Sequence, residues 1–233
     1  MTSRLHDEPE RRAKRSRDAF VSALSAIRGQ LRRGDYVLGE ALNIKNLSQS
    51  LRLSPTPIRE ALARLSGEGL VEERRGAGYF APQLGVTELA ELYEAHQVLV
   101  LSVFRDQRAL AEPAAGPEKS GATRHRRRLG TAPTYLERVE GLFDAIVRQG
   151  GNRPLFESYR RVADRLAPAR LAEGLALDDL DDELVQLRHA AEWDLNAAPA
   201  KVRMFHKRRL RHVQDIVRSI RSQKHHEYNT NID

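Results

Sequence analysis

The stretch Leu53-Ser54-Pro55-Thr56-Pro57-Ile58-Arg59 constrains this chain most. Proline holds φ near about −65° and has no N–H, so two prolines one residue apart fit a helix only in its first turn. A helix is therefore expected to begin there, with Ser54 as its N-cap. Ile58, Ala61, Leu62 and Leu65 then recur at the spacing of an inward face, as far as about Gly67. Leu70 to Arg75, then Gly76-Ala77-Gly78, then Tyr79 to Pro82 reads as two short strands around a glycine-tipped loop.

Two further helices precede this unit. From Ala13 to about Leu31 the apolar residues Phe20, Ala23, Leu24, Ile27 and Leu31 keep helical spacing, and Gly34 is placed to end the run. A short helix over about Ile44–Leu51 has Asn43 as a plausible N-cap. The order helix, helix, turn, helix, hairpin is that of a winged helix-turn-helix. Arg59 then stands in the exposed first turn of the third helix. Arg74 and Arg75 stand near the hairpin tip, where glycines let the backbone come close to a partner. The free N–H groups and dipole of the third helix's N-terminus suit a phosphate.

Charge points the same way. Residues 1–82 hold 15 Lys/Arg against 10 Asp/Glu, a surplus of five out of the net +7 of the whole chain. A basic small unit on a near-neutral larger one fits a polyanionic partner at the N-terminal end.

These residues carry a resemblance. The segment LSQSLRLSPTPIREALARLSGEGLVEERRGAGYF, within Leu24 to Pro82, resembles the DNA-binding domain of the GntR family of bacterial transcription regulators. Position by position, the resemblance implies DNA contacts from Lys45, Ser54, Thr56, Arg59, Arg75 and Gly76; Arg74 joins them as a candidate through its place beside the hairpin tip. Pro55 stands where the family usually has an arginine, so one contact is expected to be lost. The alternatives are an ion pair of Arg59 with Glu60 or Glu40, and a solvated hairpin charge for Arg74.

After Pro82 the composition turns helical. Glu88 to about Leu110, behind Thr87 as N-cap, reads as one long amphipathic helix; Ala111–Gly121 reads as a loop. Helices follow from Pro133 or Thr134 through Arg148, over Arg153–Leu166, over Asp178–Asp194, and from Ala198 to about Gln223. The paired Asp178-Asp179 and Asp181-Asp182 suit a helix N-terminal turn, where the dipole favours negative charge. Trp193 is expected in the core or in a dimer contact.

The expected fold is thus mainly α: a winged helix-turn-helix of three helices plus a β-hairpin, then an all-α bundle. The expected division is a disordered polar tail (1–12), the DNA-binding domain (13–82), a linker (83–87), a helical effector-binding and dimerisation domain (88–225) and a polar tail (226–233). This second half resembles the FCD-type effector domain of the FadR branch of GntR regulators, through TELAELYEAHQVLV, LFDAIVRQGGNRPLFESY and ELVQLRHAAEWD. That resemblance implies a homodimer, an organic-acid effector and a divalent metal in the bundle. The metal positions fall on Glu140, Asp144, Glu183 and His206. Only one of three expected histidines is present, and carboxylates favour a different class of ion from imidazole. Glu140 and Asp144 could equally pair with an arginine. His96 stands where the family often has an effector-binding arginine, and Val100 where it has a glutamate.

Several classes are excluded. There is no cysteine, hence no disulfide framework and no thiolate metal site. No apolar run approaches the about 18 residues of a membrane span, and the first residues lack the apolar centre of a signal peptide, so a cytoplasmic protein is expected. The glycine-rich lysine loop, the G-x-S-x-G elbow and the H-E-x-x-H helix of common enzymes do not occur. The expectation is a regulator on a double-stranded DNA operator, not an enzyme. The alternative is an architectural DNA-binding protein whose helical half only dimerises. The basic run Arg124–Arg128 is expected to be solvated surface or a contact to DNA or an acidic partner.

Overall fold

The computed structural model describes residues 7–110 and 133–230. The loop at 111–121, the basic run 124–128 and the ends at 1–6 and 231–233 lie outside the described residues. The element order is α1 (Asp7–Arg33), α2 (Ile44–Leu51), α3 (Pro55–Gly67), β1 (Glu72–Arg74), β2 (Gly78–Phe80), α4 (Val86–Leu110), α5 (Tyr135–Gln149), α6 (Arg153–Ala176), α7 (Leu180–Trp193), α8 (Ala198–Arg211) and α9 (Val213–Thr230). The fold is mainly helical, a winged helix-turn-helix followed by a helical bundle.

In the head, α1 packs on α3 and α2 on α3. Ala23, Ile27, Leu31, Leu47, Ile58, Leu62 and Leu65 form its core. Each buried Leu or Ile there contributes about 1.5–3 kcal/mol relative to exposure. The hairpin pairs antiparallel, Glu72 opposite Phe80 and Arg74 opposite Gly78. A segment before α2 joins it: Leu42 N–H donates to the Tyr79 carbonyl at 2.7 Å, and Ala81 N–H to the Glu40 carbonyl at 2.9 Å. This extra edge ties the wing to the helices. It was not evident in the sequence because three residues carry no readable alternation.

Several boundaries differ from expectation. α1 begins at Asp7, so the tail expected over 1–12 is helical from residue 7; that polar turn lacks an apolar face to reveal it. α4 begins at Val86 rather than after Thr87: the Gly85 carbonyl takes the Leu89 N–H at 2.9 Å, and Thr87 lies inside the first turn. α6 runs on through Pro168 to Ala176. A mid-helix proline costs about 3 kcal/mol, and burial of Leu166, Ala167, Ala169 and Ala172 around it offsets that cost. The last expected helix is two: His212 breaks the ladder, and α8 packs on α4 and α7 while α9 turns onto α6 and α4. The tail expected from residue 226 is helical as far as Thr230. Trp193 is not in the core of the chain; it is 78% exposed on its surface.

Among the described residues the bundle has two apolar clusters. One gathers Val100, Phe143, Val147, Tyr159, Leu187 and Phe205. The other gathers Leu84, Leu89, Tyr93, Leu166, Ile216 and Ile220 near the head. Two arginines of α1 tie the units together. Arg32 pairs with both Glu140 and Asp164 of the bundle, and Arg28, paired with Glu68 of the head, also lies 3.8 Å from Asp164. Among the described residues no helix is long and apolar enough to cross a membrane.

Candidate nucleic-acid interface and the polar core behind it

Asn43 caps α2 as expected, its side chain accepting from the N–H groups of Lys45 and Asn46. This fixes Lys45, exposed, in the first turn of α2. The chain then passes through Arg52 in the left-handed region, φ 54°, and enters α3 at Ser54. Ser54 occupies the N-cap position with extended backbone, yet its side chain makes no capping bond. Sequence position explains this. An N-cap hydroxyl binds the N–H of the second or third helical residue, and the third is Pro57, which has none. Pro55 and Pro57 also strip two N–H donors from this helix end, so the phosphate cradle expected there is poorer than for an ordinary helix. The Thr56 N–H remains, beside exposed Ser54 and Thr56 hydroxyls. Removing a working N-cap costs about 0.5–2 kcal/mol; here Ser54→Ala is expected to change unfolding free energy by less than about 0.5 kcal/mol, read by urea denaturation.

Arg59 is exposed and makes no ion pair among the described residues. The same holds of Lys45 and Arg75. Arg59, Lys45, Gln49 and Pro55 line one groove with Ala77, Gly78 and Tyr79 of the wing. Arg74 differs from Arg75. Its guanidinium meets Glu72 at 2.9 and 3.0 Å and lies 4.2 Å over the Phe80 ring. It braces the wing, while Arg75 stays exposed at the turn. Gly76 has φ 74° and nothing within 4 Å of a built β-carbon, so the tip is both open and conformationally reserved for glycine. Gln49, Tyr79 and Arg52 are groove or turn residues that sequence reasoning missed; the wing's fold back onto α2 brings the first two together.

The five residues expected for an effector or metal behave otherwise. Glu140 is held by Arg32, with Arg170 Nη1 4.0 Å from its other oxygen. Asp144 accepts two bonds from Arg160 at 3.0 and 3.1 Å. Glu183 accepts from Arg209 at 2.7 Å. His96 and His206 form a chain instead. Arg170 Nη2 donates to His96 Nε2 at 2.7 Å. His96 Nδ1 then donates to His206 Nε2 at 2.8 Å, and His206 Nδ1 donates to the Val202 carbonyl at 2.7 Å. Only this tautomer pair satisfies every link. Burial, then the Arg170 charge, pushes His96 well below the usual imidazole range; burial pushes His206 down to about 3. Both rings are neutral. Every carboxylate of the expected set already faces a guanidinium, so these residues do not fit a divalent ion. Among the described residues no group of three or more His, Cys, Asp or Glu is arranged to hold one.

A second buried centre lies nearby. Arg209, fully buried, donates to Glu173 at 3.0 Å, to Glu183 and to the Tyr135 oxygen at 2.7 Å. Glu173 also accepts from Tyr93 at 2.7 Å and Tyr135 at 2.8 Å. Burial works against the charge on Arg209, and Glu173, Tyr135, Glu183 and Tyr93 together outweigh it, so the group is held firmly cationic. Burial and then Glu173 raise Tyr93 and Tyr135 above the usual phenol range. In contrast, Arg170 Nε and Nη1, Glu140 Oε1 and the Tyr159 hydroxyl have no hydrogen-bond partner among the described residues.

Comparison with known proteins adds to this geometry. Residues 22–80 match the model of the bacterial regulatory proteins, gntR family. The Nta operon transcriptional regulator of Aminobacter aminovorans is 31% identical over 141 residues, 57% of this chain. The match spans 64% of that regulator's length. The solved structure of E. coli McbR/YncC aligns with a TM-score of 0.58 at 18% identity, over 84% of this chain and 97% of that one. A transcriptional regulator GntR from Rhodococcus sp. RHA1 aligns at 0.61 and 16% identity, over 84% and 97%. At such identities the two structures speak for the fold.

Proposed function

We propose that the chain is a sequence-specific, DNA-binding transcriptional regulator of the GntR type and not an enzyme. The observation that carries this reading is the groove between α2, α3 and the wing. Lys45 and Arg59 face it without ion-pair partners, and Arg75 stands exposed at the wing turn. Arg59 enters the major groove on α3 and bonds a guanine in bidentate fashion; Lys45 and Arg75 bind phosphate. Ser54 and Thr56 supply neutral hydroxyl contacts, and Gly76 admits the backbone to the duplex. Arg74 contributes by holding the wing. Two copies pair through their helical halves and place two recognition helices on a two-fold related operator, in the cytoplasm.

We read the helical half as an FCD-type domain of the FadR branch that takes a small organic acid. The buried Arg170, with two N–H groups unpartnered, supports this. Its residues do not fit the metal found in such domains. That misfit favours the second reading, in which the half only dimerises. Melting temperature with added short organic acids separates the two.

Selection from a random duplex pool tests the main reading. A preferred site should emerge, with affinity falling steeply as salt rises. Arg59→Ala should then cost about 1–3 kcal/mol and relax preference at one base position. Unchanged affinity and preference would show that Arg59 does not read the base.

A further inference from the structure

We propose that the junction of head and bundle is a ligand site of its own, distinct from the polar core, for a small molecule with an apolar body and one carboxylate. A cavity of about 340 Å³ lies there, within the range of about 300–1,000 Å³ typical of small-molecule sites. The head contributes Leu38 and Leu70, the linker Leu84, α6 Pro168 and Leu171, and α9 Ile220. Head and bundle nearly meet at two points on its rim. A β-carbon built on Gly34 would stand 3.6 Å from Leu171, and one on Gly69 would stand 3.5 Å from Arg165.

The polar groups on the wall select the ligand's charged end. Asp164 is already bonded by Arg32 and Arg160, so it has little capacity for a cation. Arg165 bonds Glu88 through Nη2 at 2.6 Å and makes no other ion pair among the described residues. Arg33, also on the wall, pairs with Asp35 at 2.8 Å and with no other carboxylate among the described residues; the remaining N–H donors of the two arginines suit a carboxylate. Glu88 on the wall is taken up by Arg165, and the leucines, Pro168 and Ile220 suit a hydrocarbon body.

Because its two walls belong to different units, occupancy stabilises one arrangement of head against bundle. On the regulator reading above, a ligand that favours one arrangement changes DNA affinity by the difference in its own affinities for the two states.

The full chain is titrated with acetate, butyrate, octanoate, decanoate and benzoate, with 1-octanol as the uncharged control. Melting temperature is followed alone, and then affinity for the duplex recovered by selection. Octanoate or another of the larger acids should raise the melting temperature where acetate and octanol do not, and should change DNA affinity about fivefold or more. Leu171→Trp fills the cavity from the bundle side and Leu38→Trp from the head side; either should abolish the response. Arg165→Gln should weaken it and leave DNA binding intact, and Arg170→Gln, in the polar core, should leave it unchanged. A response that survives both tryptophan variants, or one lost only in Arg170→Gln, overturns the proposal, as does silence toward the whole panel. Failure of DNA selection with an intact thermal response would sink the regulator reading and leave the site standing.

Discussion

Replacing Arg209 by methionine is expected to lower the unfolding free energy by about 3–5 kcal/mol, among the largest losses any single substitution here should cause. The reason is what remains. Glu173 is fully buried and accepts from Tyr93, Tyr135 and Arg209. Without the guanidinium its charge has only neutral phenol donors in a place where water is excluded. Glu183 and the Tyr135 oxygen lose a donor as well. The double variant Arg209→Met/Glu173→Met removes both charges and should recover much of the loss, because a buried ion pair and a well-packed apolar pair differ little in net stability. Urea unfolding of the wild type, both single variants and the double variant gives the coupling directly. A loss below about 1 kcal/mol in Arg209→Met would show that the pair is solvated, contrary to its burial.

Acidification should act almost as strongly through a different group. His96 and His206 are buried and neutral, with folded values below that of a free imidazole. For a base depressed in the folded state, the unfolded chain takes up protons first as pH falls. Stability from this source is therefore complete above about pH 6.5 and declines below it, continuing toward about pH 3 for His206. Each histidine contributes a slope of about 1.4 kcal/mol per pH unit. His206 alone predicts a loss of about 1.6 kcal/mol between pH 6.5 and 5, and His96 adds a loss of the same sign. His206→Gln keeps a donor and an acceptor but cannot titrate, so the slope over that interval should halve. An unaltered slope would place the acid sensitivity elsewhere.

The head was legible because its signals are local. Two prolines within three residues leave one place for a helix start, Asn43 caps the N–H groups two and three residues on, and a Gly-Ala-Gly tip between short runs defines a hairpin. The loss of the Ser54 cap was also present in the sequence, in the proline three residues on. The bundle was legible only as periodicity. Its helices were read in place but one short in number, because the break at His212 carries no glycine or proline to announce it, and α6 was read only as far as Leu166.

What the chain determined by itself is the set of elements and the identity of the exposed cations at the mouth of α2 and α3. Short-range geometry, fixed over a few residues, suffices for that. Tertiary structure alone decided which charges cancel. Arg32 reaches Glu140 across 108 positions of sequence, and His96 meets His206 across 110. The positions expected to gather a metal were instead divided among arginines of α1, α6 and α8. Nothing within one helix states which neighbour a carboxylate will face. Electrostatic energy in a low-dielectric interior depends on separation in space, and helix packing, not sequence distance, sets that separation.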